Sequence, residues 1–309
     1  MLRHDDWMTY SYNDIIKGPK TSKTEKLRLH IKRNIEIKPI SYIDALYRNA
    51  SLIQDTFNQT QDVLLSGGTD SEIIVRINHD LKIKQNLYTF RLEDNLNYKD
   101  VEASKKLCNE LNLKLNIIDF NAKKFVENKA ESIYKKTFMA LPYMIRVAWF
   151  DYLDNLPVLG LAEQYWMRVL GSDYSKKSEW HHTWYEGEFD MGIYGHLIDR
   201  PIIGEWYLYT PEPLMTYHKN DVIKSIINDE SYGKTSTWSS RHLVFKHIWP
   251  NIEFKQKLTG YEGDNVPGSR PEYITEFEEK VMGGFKHRYI NIYQKELESI
   301  FAGQGEFVL

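Results

Sequence analysis

A chain of 309 residues with 42% hydrophobic content can bury one large core, or a core and a smaller appended unit, without disulfide or metal staples. Its 40 basic and 43 acidic residues leave a formal net charge of -3, so there is no general attraction to nucleic acid or anionic membrane, and any phosphate site must be local. The single cysteine, Cys108, excludes an intramolecular disulfide, a CxxC redox pair, a four-cysteine zinc site and two-cysteine persulfide chemistry within one chain.

The start, Met1 to Trp7, lacks the apolar stretch of a signal peptide, and no run of about 18 apolar residues is present to span a bilayer. The expectation is a soluble cytoplasmic protein with no membrane partner. Residues 1 to about 34 are polar and mixed, and Lys17 to Lys26 reads as a solvated connection of low order. Ile35 to Ile40 alternates at period two and predicts a short strand. A helix follows from about Ser41, with Ile43, Leu46, Tyr47, Ala50, Ile53 and Phe57 near helical spacing.

Val63-Leu64-Leu65 is a short apolar run that ends in Ser66-Gly67-Gly68, and Ser71 to Leu81 then places Ile73, Ile74, Ile77 and Leu81 on one helical face. Leu87 to Leu92 predicts a second strand, Asp100 to Leu111 a helix, and Leu113 to Asp119 a third strand. Residues 138–154 read as helical, Val158-Leu159-Gly160 as a fourth strand, and 220–300 as mainly helical with a glycine-rich interruption at 260–268. Strands alternating with helices imply a parallel sheet, so the predicted class is α/β with a doubly wound, mainly parallel sheet and a mostly helical C-terminal part. The predicted organisation is an extension over 1–60, an α/β nucleotide-binding domain over 61–205, and a C-terminal part over 206–309 that completes the site.

Ligands of open parallel sheets gather where strand carboxyl ends meet helix amino ends, because backbone N–H groups and the helix dipole favour negative charge there. In Ser66-Gly67-Gly68-Thr69-Asp70-Ser71 the two glycines permit close backbone approach to phosphate, Ser66 and Ser71 bring hydroxyl donors, and Asp70 suits a magnesium ligand. The competing structural reading is a tight turn in which Asp70 or Ser71 caps the helix. Neither GxxxxGK[ST] nor a GxGxxG between strand and helix is present.

The string SGGTDS, between a buried strand and a helix, resembles the SGGxDS signature of the N-type ATP pyrophosphatases, the PP-loop enzymes. Within that superfamily the chain is most similar to the synthetase domain of asparagine synthetases and β-lactam synthetases, from about Ser41 to about Gly268. The matching segments run in the same order: the loop, Tyr88 to Leu92, the helix with Val101-Glu102-Ala103-Ser104, Leu115 to Phe120, Pro157 to Glu163, and Ser240-Arg241-His242-Leu243 through Phe254 to Tyr261. The resemblance implies ATP and Mg2+ as cofactors. It also implies a reaction in which a substrate carboxylate attacks the α-phosphorus and an amine or ammonia then displaces AMP. It places Lys257 in the catalytic role of stabilising charge at phosphorus, backbone groups near Phe90 and Arg91 against adenine, Gly160 at the nucleotide, and Glu163 beside Asp70 on the metal. Arg91 reads equally well as a surface ion-pair partner.

Two departures bear on function. Where the family has adjacent acids, this chain has Gly160-Leu161-Ala162 and then Glu163, and the first 60 residues carry no cysteine and are too few for a glutaminase domain. The nitrogen source would then be free ammonia, an amine on the substrate, or a product delivered by another protein, and the acceptor is a small molecule or macromolecule. A catalytically silent nucleotide-binding or structural protein is the alternative from another class. Nucleobase or nucleic-acid modification through adenylation is a lesser one, against which the near-neutral charge argues. His181, His182, Glu186, Asp190 and His196 fit no metal template, and with Trp180, Trp184, Tyr185 and Phe189 they read as a packed aromatic cluster or a substrate-contacting loop. Gly263 to Arg270 reads as a turn-rich flap over the nucleotide or a plain surface loop.

Overall fold

The N-terminal residues form strands where the sequence predicted a polar connection. β1 (Met8–Tyr12) pairs antiparallel with β2 (Ile15–Ile16) and β3 (Arg28–Ile31) in the computed structural model, which describes residues 7–12, 15–31, 40–161, 166–168, 180–228, 241–254, 271–284, 289–293, 299 and 307–308. Trp7, Met8, Tyr10, Tyr12 and Leu29 are buried in a core shared with the rest of the fold. Lys20, in the middle of the expected solvated stretch, is buried between Glu186 and Asp190, with its Nζ 3.3 Å and 3.6 Å from their carboxylates. The expected strand over 35–40 lies almost wholly outside the described residues.

Helix α1 (Tyr42–Phe57) starts at Ser41, whose Oγ accepts from the Asp44 N–H at 3.1 Å, a side-chain N-cap. It ends at Asn58 in the left-handed conformation, a residue type that tolerates this region. Then come β4 (Gln61–Leu64), helix α2 (Thr69–Asp80), β5 (Gln85–Leu92), helix α3 (Tyr98–Glu110), β6 (Leu115–Phe120) and β7 (Leu156–Val158). The four strands form one parallel sheet in the order β6-β5-β4-β7.

Alternation along the strands divides the interior in two. Val63, Leu65, Leu87, Leu156 and Val158 join one apolar cluster with Leu46, Ala50 and Ile53 of α1, Ile73, Ile74 and Ile77 of α2, and Leu107 and Cys108 of α3. Leu64, Phe90, Leu92 and Phe120 join the other, with Phe125, Tyr134, Met144, Val147 and Phe150 from the helical segments between β6 and β7 and with Ile274 and Phe277 from helix Glu272–Lys280. Helices therefore cover both faces, the doubly wound arrangement the sequence predicted. The connection after β6 holds more helix than expected: Ala122–Phe125 and Glu131–Thr137 flank a π-helical turn, Val126–Ala130, ahead of Leu141–Trp149.

The region read as mainly helical also supplies a strand. Tyr289–Tyr293 pairs antiparallel with Trp180–Tyr185, which in turn pairs with Trp166–Arg168. Trp184 and Phe189 are fully buried in edge-to-face contact, as the packed-cluster reading expected. Among the described residues no helix is long and apolar enough to cross a membrane.

Candidate functional site

The strand order locates a crevice. From β4 the chain passes through α2 to β5 on one side, whereas β7 enters on the other side of β4 and pairs beyond it with Ile203 in a parallel bridge. Outgoing connections diverge at the carboxyl ends of β4 and β7, which makes this the topological switch point where open α/β sheets take their ligands. The residues there are Leu65 to Ser71 and Leu159 to Leu161.

Leu65 continues the ladder, its N–H donating to the Tyr88 carbonyl at 2.7 Å. The chain then turns sharply through Gly67 at φ +69°. That turn brings Ser66 back over the start of α2, so the Ser66 N–H donates to Ser71 Oγ at 3.3 Å and the two hydroxyl oxygens lie 3.4 Å apart. Ser71 Oγ donates in turn to the Gly68 carbonyl at 3.2 Å. Gly68 is the N-cap of α2 and no side chain caps it. Ser71 thus serves the turn itself, accepting from the Ser66 N–H as the structural reading of the loop expected. The first turn of this twelve-residue helix points its N–H groups, with the helix dipole behind them, toward the carboxyl end of the sheet.

Gly160 lies directly against this turn. A Cβ there would sit 3.1 Å from the Asp70 carbonyl carbon and 3.1 Å from the Ser71 nitrogen. From below, Tyr207 donates its hydroxyl to the Asp70 carbonyl at 2.9 Å. Burial, followed by the nearby Asp70 carboxylate, pushes the Tyr207 phenol well above its ordinary range, so it stays a donor. Asp70 is half-buried in the first helical turn, where negative charge complements the dipole, and its Oδ1 is shielded from solvent. This single carboxylate at a helix start fits a magnesium ion that keeps most of its shell as water and phosphate oxygen. Among the described residues no group of three or more His, Cys, Asp or Glu is arranged to hold a metal by itself.

Ser66, Gly67, Gly68, Thr69, Asp70, Ser71 and Gly160 thus come together at the switch point. Phe90 and Arg91 lie at the carboxyl end of β5, next along the sheet. The Phe90 ring is buried and stacks on Trp149 with centroids 4.6 Å apart, while Arg91 makes an exposed bidentate pair with Asp119 at 2.5 Å and 2.9 Å. Lys257, Glu163 and Arg270 lie outside the described residues. Cys108 is buried, and burial pushes its thiol up to about 11, which removes it from thiolate chemistry at neutral pH.

Sequence reasoning missed two residues here. Asn97 donates to the Phe90 carbonyl at 2.7 Å and accepts from the Leu92 N–H at 2.9 Å, fixing the end of β5. Tyr207 belongs to no motif, and its contact with Asp70 spans 137 positions in sequence.

No protein-family model matches the chain, and no curated protein matches it. Solved structures do. An NH3-dependent NAD synthetase from Campylobacter jejuni aligns at 19% identity over 37% of this chain and 52% of its own, with a TM-score of 0.27. An NMN synthetase from Francisella tularensis aligns at 16% identity over 40% and 54%, with a TM-score of 0.28. A glutamine-dependent NAD+ synthetase from Acinetobacter baumannii aligns at 13% identity over 44% and 30%, with a TM-score of 0.28. The chain thus spans about half, or less, of the length of these structures, and likeness this partial assigns no activity.

Proposed function

We propose that the chain binds ATP at Ser66 to Ser71 and transfers its AMP moiety to an acceptor carboxylate, releasing pyrophosphate, before ammonia or an amine displaces AMP. The observation that carries this reading is the start of α2 at the switch point, entered through Gly67 at positive φ and packed against Gly160. N–H groups at a helix start in that position hold phosphate oxygens. Adenine lies toward β5, against the backbone of Phe90 and Arg91.

A carboxylate oxygen attacks the α-phosphorus, the bond from that phosphorus to the bridging α–β oxygen breaks, and pyrophosphate leaves with the electron pair. The amine nitrogen then attacks the acyl carbon, the acyl–oxygen bond breaks to release AMP with the electron pair, and the nitrogen gives up a proton to solvent as the amide forms. Magnesium, when bound, neutralises charge on the phosphates. Asp70 supplies one oxygen for it, and Glu163 is assigned a second. Lys257 is assigned to the charge that develops at the α-phosphorus, where a fixed cation in a dry site is worth several kcal/mol.

The experiment is incubation of the protein with magnesium, ATP labelled at the α-phosphate, and a panel of carboxylic acids with ammonia. Labelled AMP and one equivalent of pyrophosphate are expected. Labelled ADP would rule out attack at the α-phosphorus. Tight ATP binding without turnover across the panel would instead favour the silent nucleotide-binding protein.

A further inference from the structure

Tyr207 stands on a segment that the rest of the protein holds from several sides. The 3-10 turn Trp206–Leu208 receives the Trp7 indole N–H on the Leu208 carbonyl at 3.2 Å and the Asn49 amide on the Trp206 carbonyl at 2.6 Å. Asn49 also accepts from the Thr210 N–H at 2.9 Å, which closes the turn onto α1. Just before it, Glu205 bridges Gly160 and accepts from the Tyr10 hydroxyl at 3.2 Å. The N-terminal sheet and α1 therefore both grip the short stretch that carries the Tyr207 ring.

At the far end of that ring, the hydroxyl reaches one atom of the nucleotide loop, the Asp70 carbonyl. A helical carbonyl accepts one intrahelical bond and has a second lone pair, and here it accepts from Tyr207. With Gly160 packed on the same peptide, two contacts fix the Asp70 carbonyl plane, and with it the backbone from which the Asp70 Cα–Cβ bond projects.

Resting on the ATP reading above, we infer that Tyr207 is a positioning residue for magnesium-bound nucleotide: braced by the N-terminal sheet, its hydroxyl fixes the Asp70 peptide and so aims the Asp70 carboxylate at the metal. Tyr207 itself is fully buried. Its effect falls on the magnesium-dependent part of nucleotide binding more than on the part supplied by the helix N–H groups, of which only that of Ser71 shares the fixed peptide.

The test is calorimetric titration of wild type and Tyr207→Phe with ATP, with and without magnesium, alongside thermal melts. Phe keeps the ring and removes the donor. In the variant, ATP affinity without magnesium is expected to stay within about twofold, while the gain on adding magnesium falls about tenfold, as for loss of one well-placed hydrogen bond. Trp7→Phe, which removes a donor from the brace without touching Asp70, is expected to reduce the gain about threefold and serves if Tyr207→Phe fails to fold. A lowered melting temperature with the magnesium gain intact makes Tyr207 merely structural and overturns the inference. If wild type binds no ATP, it is the functional reading that fails.

Discussion

Gly67 and Asp100 meet backbone to backbone: a Cβ on Gly67 would lie 2.7 Å from the Asp100 carbonyl oxygen and 2.8 Å from its Cα. The glycine thus has two constraints, the contact with the first turn of α3 and its own φ of +69°. The sequence suggested close approach to phosphate, and the structure adds close approach to a neighbouring helix. Gly67→Ala is expected to destabilise the fold by about 2–3 kcal/mol, from left-handed strain plus overpacking against backbone that cannot swing aside. ATP affinity should fall at least about tenfold, because relief of that clash displaces the phosphate N–H groups. Chemical denaturation and calorimetry read the two effects separately, and a variant with wild-type values in both would remove Gly67 from the site.

Lys20 stands between two buried carboxylates, and Asp190 also accepts from the Tyr12 hydroxyl at 3.0 Å. Burial raises the Asp190 carboxyl above its ordinary range, with Lys20 opposing and Glu186 adding to the shift. Lys20→Met leaves both acids in place without the ammonium, and breaking a buried pair in this way costs about 3–5 kcal/mol at neutral pH. The sign with pH follows from the raised value. An acid held above its unfolded pKa contributes stability below that unfolded value and loses it as pH rises through the folded one. Without Lys20 the Asp190 shift grows, so the deficit of the variant should widen from pH 4 to pH 7. Urea denaturation at both values checks this, and a deficit that narrows as pH rises would contradict it.

The same cluster explains what was legible in the sequence. Val63 to Leu65, the isoleucines of α2 and the apolar run in β5 announce themselves through local periodicity, and the SGGTDS string fixes where the sheet turns into a helix. Short connections make these elements neighbours, so reading them in order recovers the parallel sheet. Lys20 and Tyr12 are different. Their partners Glu186 and Asp190 lie more than 160 positions away, and a lysine among Thr and Ser residues reads as solvated until its acids are known. Met8, Tyr10 and Tyr12 do alternate at period two, but the weight of polar residues around them hid a five-residue strand. In the site, Gly67 and Asp70 could be read from the motif, whereas Tyr207 and Asn97 act through backbone atoms and leave no motif.

Asp62 offers a contrast to the loop within the same strand. Fully buried near the amino end of β4, it accepts from Asn86 Nδ2 at 2.8 Å, from the Asn155 N–H at 2.8 Å and from Asn155 Nδ2 at 3.1 Å. These bonds tie β4 to β5 and to the entry of β7. Asp62→Ala strands three donors on the half-buried Asn86 and Asn155 and is expected to cost about 2–3 kcal/mol. Because the ligand end of the sheet is the opposite one, ATP affinity of the folded variant should stay within about twofold of wild type. A strong loss of ATP binding with unchanged stability would reverse these assignments.

Arg91 and Asn97 separate a side-chain role from a backbone role at the carboxyl end of β5. The Arg91 guanidinium is exposed and its hydrogen bonds to Asp119 hold it further into its charged range, while they hold the Asp119 carboxyl below its ordinary one. If adenine meets the backbone there, Arg91→Ala should leave ATP affinity within about twofold, since an exposed ion pair contributes little. Asn97→Ala removes the clamp on the Phe90 carbonyl and the Leu92 N–H, and it frees a turn that holds Asp94 and Asn95 at positive φ of 53° and 54°. Asn and Asp tolerate that region, so the turn depends on Asn97 to tie it to the strand end. Asn97→Ala should therefore weaken ATP binding about fivefold to tenfold through loss of order in the strand end. Calorimetry on the two variants decides the matter: a large loss in Arg91→Ala with little change in Asn97→Ala would put the guanidinium, and not the peptide edge, against the nucleotide.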